Sequence, residues 1–401
     1  MSYPEPDLIK SNGISFLDTK TAFAWKSDRE LRFSYLIFRM MQSRLFVLIS
    51  SFFSLLALKL SIPVAPLIKA TVFKQFCGGE TMDESRTTIN KLGKSGIGAI
   101  LDFAVEGSTK EFVFDETQKE ILRVIAFAKE NPHVPFACLK PSGIANVNLL
   151  EKVSGGGVLT SLEIVEFENV ERRLDEICTV ALNCRMPIYI DAEESWIQPA
   201  IDKLAEKMMR KYNKERAIVS TTLQMYRTDR LAYLEKLIND SKENNYVLGV
   251  KIVRGAYIEK EGKRALEFGY PTPINESKPK TDEYYNTAMK ILASNINHVE
   301  FCAGTHNEES CHVLINEMKQ KGIPNNHPGI WFSQLNGMSD HISFNLAAAG
   351  YNVTKYLPYG PVKSTIPYLV RRAQENSAIA GQMGKELILI SKEIKRRKNK
   401  S

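Results

Sequence analysis

The sequence lacks the short motifs that mark several common enzyme classes. No G-x-G-x-x-G follows a predicted strand, and neither the P-loop pattern G-x-x-x-x-G-K-[S/T] nor the nucleophile elbow G-x-S-x-G occurs. Rossmann-type dinucleotide binding, P-loop phosphate chemistry and α/β-hydrolase catalysis are therefore unsupported. The six cysteines have no C-x-x-C spacing. They indicate neither a zinc site nor a disulfide framework and fit a reducing compartment.

Long hydrophobic runs and targeting signals are also missing. The run LFVLISSFFSLLAL, between Arg44 and Lys59, is short of the roughly twenty residues that span a bilayer. It predicts a buried helix, with a helix at a membrane interface as the alternative. The first twenty residues carry three acidic and two basic side chains and have no basic segment before an apolar stretch. We therefore expect neither secretion nor a transit peptide.

Positive charge is scarce outside one short segment. The formal net charge is +7, and the last ten residues supply +5 of it. The remaining chain is close to neutral, which argues against a nucleic-acid-binding face. The tail predicts a solvated helix end, and the alternative is contact with an anionic membrane surface or an acidic partner.

The rest of the composition is that of a folded globular protein. Of the 401 residues, 44% are hydrophobic and 25% charged, which excludes a collagenous or largely disordered chain. Helical patterning dominates up to about residue 95. We predict three parts: an N-terminal helical arm (1–95), a catalytic domain (96–390) and a basic C-terminal tail (391–401).

From residue 96 onward, short aliphatic runs alternate with longer segments of helical period. This alternation is typical of βαβ units. Eight such runs over about 290 residues predict an α/β protein, a (β/α)8 TIM-type barrel, rather than an open sheet. The predicted strands are 96–105, 134–140, 186–194, 217–224, 246–255, 298–304, 329–335 and 353–357.

Polar side chains follow every predicted strand. The carboxyl ends of barrel strands meet at one mouth, and eight polar ends out of eight favour an enzyme over a binding module. These residues are Asp102, Glu106, Lys140, Asp191, Glu193, Gln224, Lys251, Arg254, Thr305, His306, Gln334, Asn336 and Tyr356.

The segment after the eighth strand predicts a helix with Pro367 in its first turn. Tyr368, Arg371, Arg372 and Glu375 follow at i, i+3, i+4 and i+7, so they share one face. Adjacent guanidinium groups beside a tyrosine would hold a small carboxylate by bidentate hydrogen bonds. A surface helix with internal Arg–Glu pairs is an equally good interpretation of this spacing.

Carboxylates near strand ends raise the question of a metal site. Asp191, Glu193 and His306 could bind a hard divalent ion, as in a metal-dependent lyase or aldolase. No further convincing ligand accompanies them, so we predict no metal. Asp191 is more plausibly a partner for a cationic group, and Gly255 would allow close backbone approach to a ligand.

Taken together, these residues resemble the proline dehydrogenase family. The segments ILDFAVEG, CLKPSG, YIDAEES, LQMYRTD, VKIVRGAY, THN, QLNGM, YLPYG and YLVRRAQEN occur in family order, one after another along residues 96–385. The N-terminal helices are similar to those of longer, mitochondrial-type members. The resemblance implies a monofunctional enzyme that oxidises L-proline to Δ1-pyrroline-5-carboxylate.

The same resemblance implies the partners and the location. FAD would be the cofactor, and a quinone would be the electron acceptor. The enzyme would be cytoplasmic or peripheral on the cytoplasmic face of a bacterial inner membrane, or on the mitochondrial inner membrane in a eukaryote. Members that prefer 4-hydroxyproline place serine where this chain has Tyr356.

Roles are carried over position by position. Arg371 and Arg372, with Lys140, would grip the substrate carboxylate. Tyr356, Tyr368 and Leu335 would surround the proline ring. Asp191 would orient the cationic groups near the flavin, and Asp102 would lie in the same wall. Glu106 would pair with Arg371 as part of a gate, with Glu375 on the same helix. The resemblance assigns the flavin to Gln224, Lys251, Arg254, Gly255, Ala256, Thr305, His306 and Asn307; some members have arginine in place of Lys251.

Overall fold

A computed structural model describes residues 13–43, 45, 47, 48, 50, 64–103, 109–378 and 380–399; for 374–378 and 380–383 it describes the backbone. Eight parallel strands close into a barrel in sequence order, which confirms the predicted (β/α)8 fold. The strands are β1 Ile97–Phe103, β2 Phe136–Leu139, β3 Ile188–Ile190, β4 Val219–Gln224, β5 Leu248–Val253, β6 Val299–Gly304, β7 Ile330–Leu335 and β8 Val353–Tyr359.

Helices surround the barrel and precede it. Two helices follow β2 and two follow β5, where the sequence has its longest connections. The helices are α1 Thr19–Phe23, α2 Asp28–Met41, α3 Ala65–Ile68, α4 Lys74–Phe76, α5 Met82–Gly93, α6 Glu111–Glu130, α7 Val147–Ser154, α8 Ser161–Cys184, α9 Gln198–Tyr212, α10 Arg230–Glu243, α11 Ile258–Phe268, α12 Lys278–Ser294, α13 Glu308–Gln320, α14 Asp340–Ala348, α15 Val362–Ala378 and α16 Ala380–Lys398. A π-helical turn, Lys69–Phe73, joins α3 to α4.

Alternation along the strands separates two apolar layers. Ile100, Cys138 and Tyr189 lie in a small cluster inside the barrel. Their neighbours Leu101 and Ile188 instead join the large core between the strands and the outer helices. Because side chains two residues apart share a face of a strand, a residue two positions beyond an inward one points into the mouth.

The arm packs on the helices that follow β8. In α2, Leu31, Phe38 and Met41 recur at helical spacing and are buried. A capping box between Ser27 and Glu30 begins this helix. The buried face of α2 joins residues of α15 and α16 in a second hydrophobic core. Most of the apolar run 45–58 lies outside the described residues.

The proposed domain limits remain predictions, and two packing features bear on them. Ile89 and Leu92 of α5 are part of the barrel core although they precede residue 96. Helix α16 continues through residue 391, where the basic tail was expected to begin. Within that tail Glu393 is fully buried and accepts hydrogen bonds from Arg396 and Arg397.

Candidate active site

Two inward-facing strand ends supply an ion pair at the barrel mouth. Asp102 lies two residues after Ile100 on β1, and Lys140 lies two residues after Cys138, just beyond β2. The Lys140 Nζ atom is 3.1 and 3.0 Å from the two carboxylate oxygens of Asp102. Both side chains are largely buried. The Asp102 carboxylate therefore fixes the Lys140 ammonium at the mouth.

Asp191 forms a second cluster beside the first. Its carboxylate accepts hydrogen bonds from Lys251 and, at 2.6 Å, from the hydroxyl of Tyr356. The Lys251 Nζ atom lies 5.1 Å from the ring centroids of both Tyr189 and Tyr356. Burial would lower the pKa of Lys251, but the Asp191 carboxylate outweighs it and raises the pKa. Lys251 is thus a cation at neutral pH, fixed by a carboxylate and two aromatic faces.

The Gln224 side chain connects the backbone segments that follow β3 and β5. The Gln224 Nε2 atom donates to the Glu193 carbonyl at 2.7 Å, and the Ala256 N–H donates to Gln224 Oε1 at 3.3 Å. Gly255 has φ +133°, and a Cβ there would lie 2.1 Å from the Tyr226 ring. Only glycine fits this position, where the loop backbone packs directly against the Tyr226 ring.

Arg254 is held by groups from two helices, α12 and α13, and from the end of β6. Its Nε donates to Asp282 at 2.6 Å, and its two terminal nitrogens donate to Thr305 at 2.7 Å and Ser310 at 2.9 Å. The guanidinium also lies 4.4 Å from the centroid of the Tyr285 ring. These contacts fix the guanidinium plane and leave it little rotational freedom.

The segment after β6 combines a helix cap with a histidine. Asn307 caps α13 by accepting from the Ser310 N–H at 3.1 Å. His306 Nε2 accepts from the Leu335 N–H at 3.4 Å, and its Nδ1 is 2.9 Å from the Ser339 hydroxyl. Because Nε2 is the acceptor, the neutral ring carries its proton on Nδ1.

The His306 ring is buried in a cationic environment, which determines its charge state. Burial of the ring, with the nearby cations of Lys355 and Arg372, lowers the pKa of His306 to about 3. His306 is therefore neutral throughout the physiological range.

Helix α15 begins at Val362, earlier than the sequence suggested, so Pro367 lies inside the helix and not in its first turn. Arg372 is buried, and its guanidinium lies 5.3 Å from the centroid of the Tyr368 ring. Leu335 packs against the apolar cluster that contains Tyr368. Glu106 and the side chain of Glu375 lie outside the described residues.

Glu193 has a structural role that the sequence did not indicate. Its carboxylate accepts from the backbone N–H of Ser142 at 2.8 Å and from the Ser142 hydroxyl. Its own N–H donates to Gln198 at 2.9 Å. Glu193 thus ties the β3 end to the β2 loop. Among the described residues, no three His, Cys, Asp or Glu side chains are grouped as metal ligands would be.

A buried ionic network that the sequence does not indicate lies behind β7 and β8. Asp340 forms ion pairs with Lys26, at 2.9 Å, and with Lys355, at 3.0 Å, and all three side chains are buried. Lys355 also donates to the Met338 carbonyl. Lys355 is on the outward face of β8, where alternation predicts an apolar residue, and nothing in one sequence distinguishes it from an exposed lysine.

Glu308 extends this network, and its ionisation should make the stability of the fold sensitive to acid. Burial opposes ionisation of Glu308, but hydrogen bonds from His341 at 2.8 Å and Lys385 at 2.7 Å lower its pKa to about 2. The lowered pKa stabilises the fold fully above about pH 4.5, and this contribution is lost as the pH falls towards 2.

We therefore expect Glu308→Gln to lower the free energy of unfolding by about 1–3 kcal/mol at neutral pH. The dependence of this free energy on pH between about 2 and 4.5 should become flatter in the variant. Urea titrations between pH 2 and 7 would measure both effects. Glu309→Gln, at the exposed neighbouring position, is the control. An unchanged acid limb in the Glu308 variant would contradict the assignment.

A closed parallel barrel with cationic, carboxylate and aromatic side chains converging at the carboxyl ends of its strands has the architecture of a TIM-barrel enzyme. Comparison with known proteins narrows the class. The family model for proline dehydrogenase matches residues 85–385, and the chain belongs to this family.

Individual relatives agree with that assignment. The chain is similar to proline dehydrogenase 1, mitochondrial, of Dictyostelium discoideum, with 34% identity over 98% of this chain and 77% of that protein. It is also 34% identical to the carbapenem antibiotics biosynthesis protein CarD of Pectobacterium carotovorum subsp. carotovorum, over 80% of this chain and 83% of that protein.

A solved structure shows the same fold. Proline utilization A from Bdellovibrio bacteriovorus superposes with a TM-score of 0.71 at 17% identity, covering 95% of this chain. This chain spans 42% of that longer protein. Among the helices that the structure describes, none combines the length and the apolarity needed to cross a bilayer.

Proposed function

We propose that this protein is a proline dehydrogenase that oxidises L-proline to Δ1-pyrroline-5-carboxylate with FAD. The observation that carries the proposal is the family match over residues 85–385, a range that includes every strand end at the mouth. A metal-dependent lyase on the same barrel, the alternative from the sequence, gains no support from the relatives.

The substrate carboxylate would bind Arg371, Arg372 and Lys140. Arg372 is buried beside Tyr368, and Lys140 is fixed by Asp102. Preset cations of this kind bind a small carboxylate strongly, because little side-chain freedom is lost on binding. Tyr356, Tyr368 and Leu335 would form the apolar walls around the ring, and Glu106 would close over the site with Arg371, while Glu375 would lie on the same helix face.

The residues assigned to FAD suit a group with phosphates and a ring that becomes anionic on reduction. Lys251 and Arg254 are cations in fixed positions, and Gly255, which packs on the Tyr226 ring, would lie beside the bound flavin. Gln224, Ala256, Thr305, His306 and Asn307 would complete the binding surface. Bound FAD supplies a hydride acceptor, which no side chain of the chain can provide.

The remaining chemistry needs positioning rather than a strong nucleophile. The substrate loses a hydride from the carbon beside its nitrogen and a proton from the nitrogen, which together account for two electrons and two protons. The side chains hold that carbon in place and exclude water from it. Asp191 would orient Lys251 and Tyr356 in the same wall.

The two electrons must then pass to an external acceptor, and we propose a quinone. Peripheral contact with a membrane would bring the enzyme to such an acceptor. Leu36, Leu45 and Leu48 of the arm are exposed, as an interfacial contact would require. Co-flotation with quinone-containing vesicles would test this association, and we expect it to weaken when the exposed Lys392, Lys395 and Lys398 are replaced by glutamine.

The visible absorption spectrum of the purified protein tests the proposed activity. We expect the bands of an oxidised flavin, release of FAD rather than FMN on denaturation, and bleaching when L-proline is added without oxygen. D-proline is the control substrate. A colourless protein whose activity chelators abolish would favour the lyase and overturn the proposal.

Substrate preference offers a sharper test at Tyr356. The ring lies beside Lys251, whose Nζ atom is 5.1 Å from the ring centroid, and the Tyr356 hydroxyl donates to Asp191 at 2.6 Å. A substrate hydroxyl pressed against it would lose water without a new partner. We expect proline to be preferred over trans-4-hydroxy-L-proline by about 10- to 100-fold in kcat/KM.

Tyr356→Ser should narrow or reverse this preference while lowering the efficiency with proline. Tyr356→Phe is the matched control, because it removes the hydroxyl but keeps the ring, and it should leave the ratio close to that of the wild type. The interpretation fails if the wild-type protein uses both substrates equally well, or if the Ser variant keeps the wild-type ratio.

A further inference from the structure

The turn between β7 and α14 holds an unusual residue. Ser339 is buried and has φ +51° and ψ +41°. These angles lie in the left-handed region, which residues other than glycine rarely adopt. Its carbonyl accepts from the Ile342 N–H at 3.0 Å and so begins α14. Such a conformation persists only where surrounding contacts hold it.

One of these contacts comes from the C-terminal helix. The Glu386 carboxyl, on α16, accepts a hydrogen bond from the Ser339 N–H and is buried. Its neighbours include His341, whose Nδ1 is 4.0 Å away. From the opposite side Gln75, in the arm, donates to the Gly337 carbonyl at 2.9 Å. The turn is therefore held between the arm and the C-terminal helix.

The Ser339 side chain connects this turn to the mouth. At a helix N-terminus a serine hydroxyl ordinarily caps the helix, but here it does not. It lies 2.9 Å from His306 Nδ1 instead, and His306 Nε2 accepts from the Leu335 N–H. Contacts thus run from Glu386 through Ser339 and His306 to Leu335.

We infer that Glu386 is a positioning residue of the active site: through Ser339 it fixes the ring of His306 and, with it, the Leu335 side of the mouth. The significance of His306 and Leu335 rests on the proposed function. The chain of contacts does not depend on that function. Helix α16 then contributes to the site without touching substrate or cofactor.

Replacement of Glu386 by leucine and by glutamine separates the hydrogen bond from simple packing. Glutamine keeps an oxygen that can accept the Ser339 N–H, whereas leucine fills similar space without one. In Glu386→Leu we expect amide exchange at Ser339 and Leu335 to be about tenfold faster, the effect of one lost hydrogen bond. Glu386→Gln should resemble the wild type.

Glu393→Leu is the matched control for general loosening of α16. Glu393 is a buried carboxylate on the same helix, but it binds Thr19, Arg396 and Arg397 and not the turn. It should lower thermal stability as Glu386→Leu does, yet leave exchange at Ser339 and the affinity for FAD unchanged.

In the flavin-loaded enzyme, Glu386→Leu should weaken FAD binding and raise the KM for proline by about tenfold each, with a smaller change in kcat. Ser339→Gly removes the link to His306 while glycine tolerates the backbone conformation, so it should give the same kinetic change without the loss of stability. This variant keeps the inference testable if Glu386→Leu folds poorly.

The outcomes separate this inference from the proposed function. Equal exchange rates at Ser339 in Glu386→Leu and the wild type, or equal site effects in Glu386→Leu and Glu393→Leu, would overturn it. A wild-type protein that binds no flavin and does not oxidise proline would instead overturn the proposed function, while the exchange rates would still decide whether Glu386 holds the turn.

Discussion

Replacing either Arg371 or Arg372 by methionine should remove most of the activity with proline while FAD stays bound. Methionine keeps a similar length and the apolar contacts of the arginine stem, so the change isolates the loss of the guanidinium. Losing one charge-assisted hydrogen bond to a desolvated carboxylate costs about 2–4 kcal/mol of transition-state binding. That loss corresponds to a fall of about 30- to 1,000-fold in kcat/KM.

Steady-state kinetics and the flavin content of each variant would measure this effect. Lys363→Met, on the exposed face of α15, is the matched control, because it removes a cation from the same helix. It should change kcat/KM little. Proline kinetics near the wild type in both arginine variants would reject the carboxylate clamp and favour the surface-helix interpretation of this spacing.

Most of the fold could be predicted because the barrel repeats one local pattern. Each strand is a short aliphatic run, and each is followed by a helical segment, so eight repeats specify closure without any long-range information. The one error on α15 has a local cause. Proline is typical of a first turn, but Pro367 lies inside a helix that begins at Val362.

The mouth of the barrel was predictable for a related reason. Asp102, Lys140 and Asp191 lie at or just beyond strand ends, and Tyr356 lies on the inward face of β8. The carboxyl ends of the strands necessarily converge. Alternation also predicts that Lys251 points inward, since its neighbours Val250 and Ile252 lie in the outer core. The pairing of these charges then follows from their closeness.

The network behind the site could not be predicted in the same way. In this network Lys26 of the arm pairs with Asp340, and Glu386 of the last helix binds the turn at Ser339. These contacts depend on how the arm and the last helix pack on the barrel. Lysine and glutamate on amphipathic helices are usually exposed. Only tertiary packing distinguishes these residues from solvated ones.

Replacing the buried pair of Lys251 and Asp191 should affect stability and activity differently. The double variant should regain most of the stability that each single variant loses, but not the activity. Lys251 is 5% exposed and Asp191 is 9% exposed. Removing one partner leaves the other charge buried without its counter-ion, so Lys251→Met and Asp191→Leu should each destabilise the fold by about 3–5 kcal/mol. Urea denaturation would measure this loss.

The double variant distinguishes packing from function, because it replaces the pair by two apolar side chains of similar volume. It should recover most of the lost stability, since no unpaired charge remains. Proline oxidation should stay low in all three variants, because neither Asp191 nor Lys251 is restored. The matched control is the buried pair Arg230–Asp202 between α9 and α10, with Nη1 2.8 Å from the carboxylate.

Arg230→Met should destabilise the fold, and the double variant should recover part of that loss. Asp202→Leu should cost less than Arg230→Met, because Arg230 keeps its ion pair with Asp229. All three variants should leave the kinetics of the folded fraction near those of the wild type. Two results would contradict the interpretation. Additive losses in the Lys251–Asp191 double variant would mean that the two charges are not coupled. Activity that returns together with stability would mean that the pair only supports the barrel, and that the cation at Lys251 has no part in the reaction.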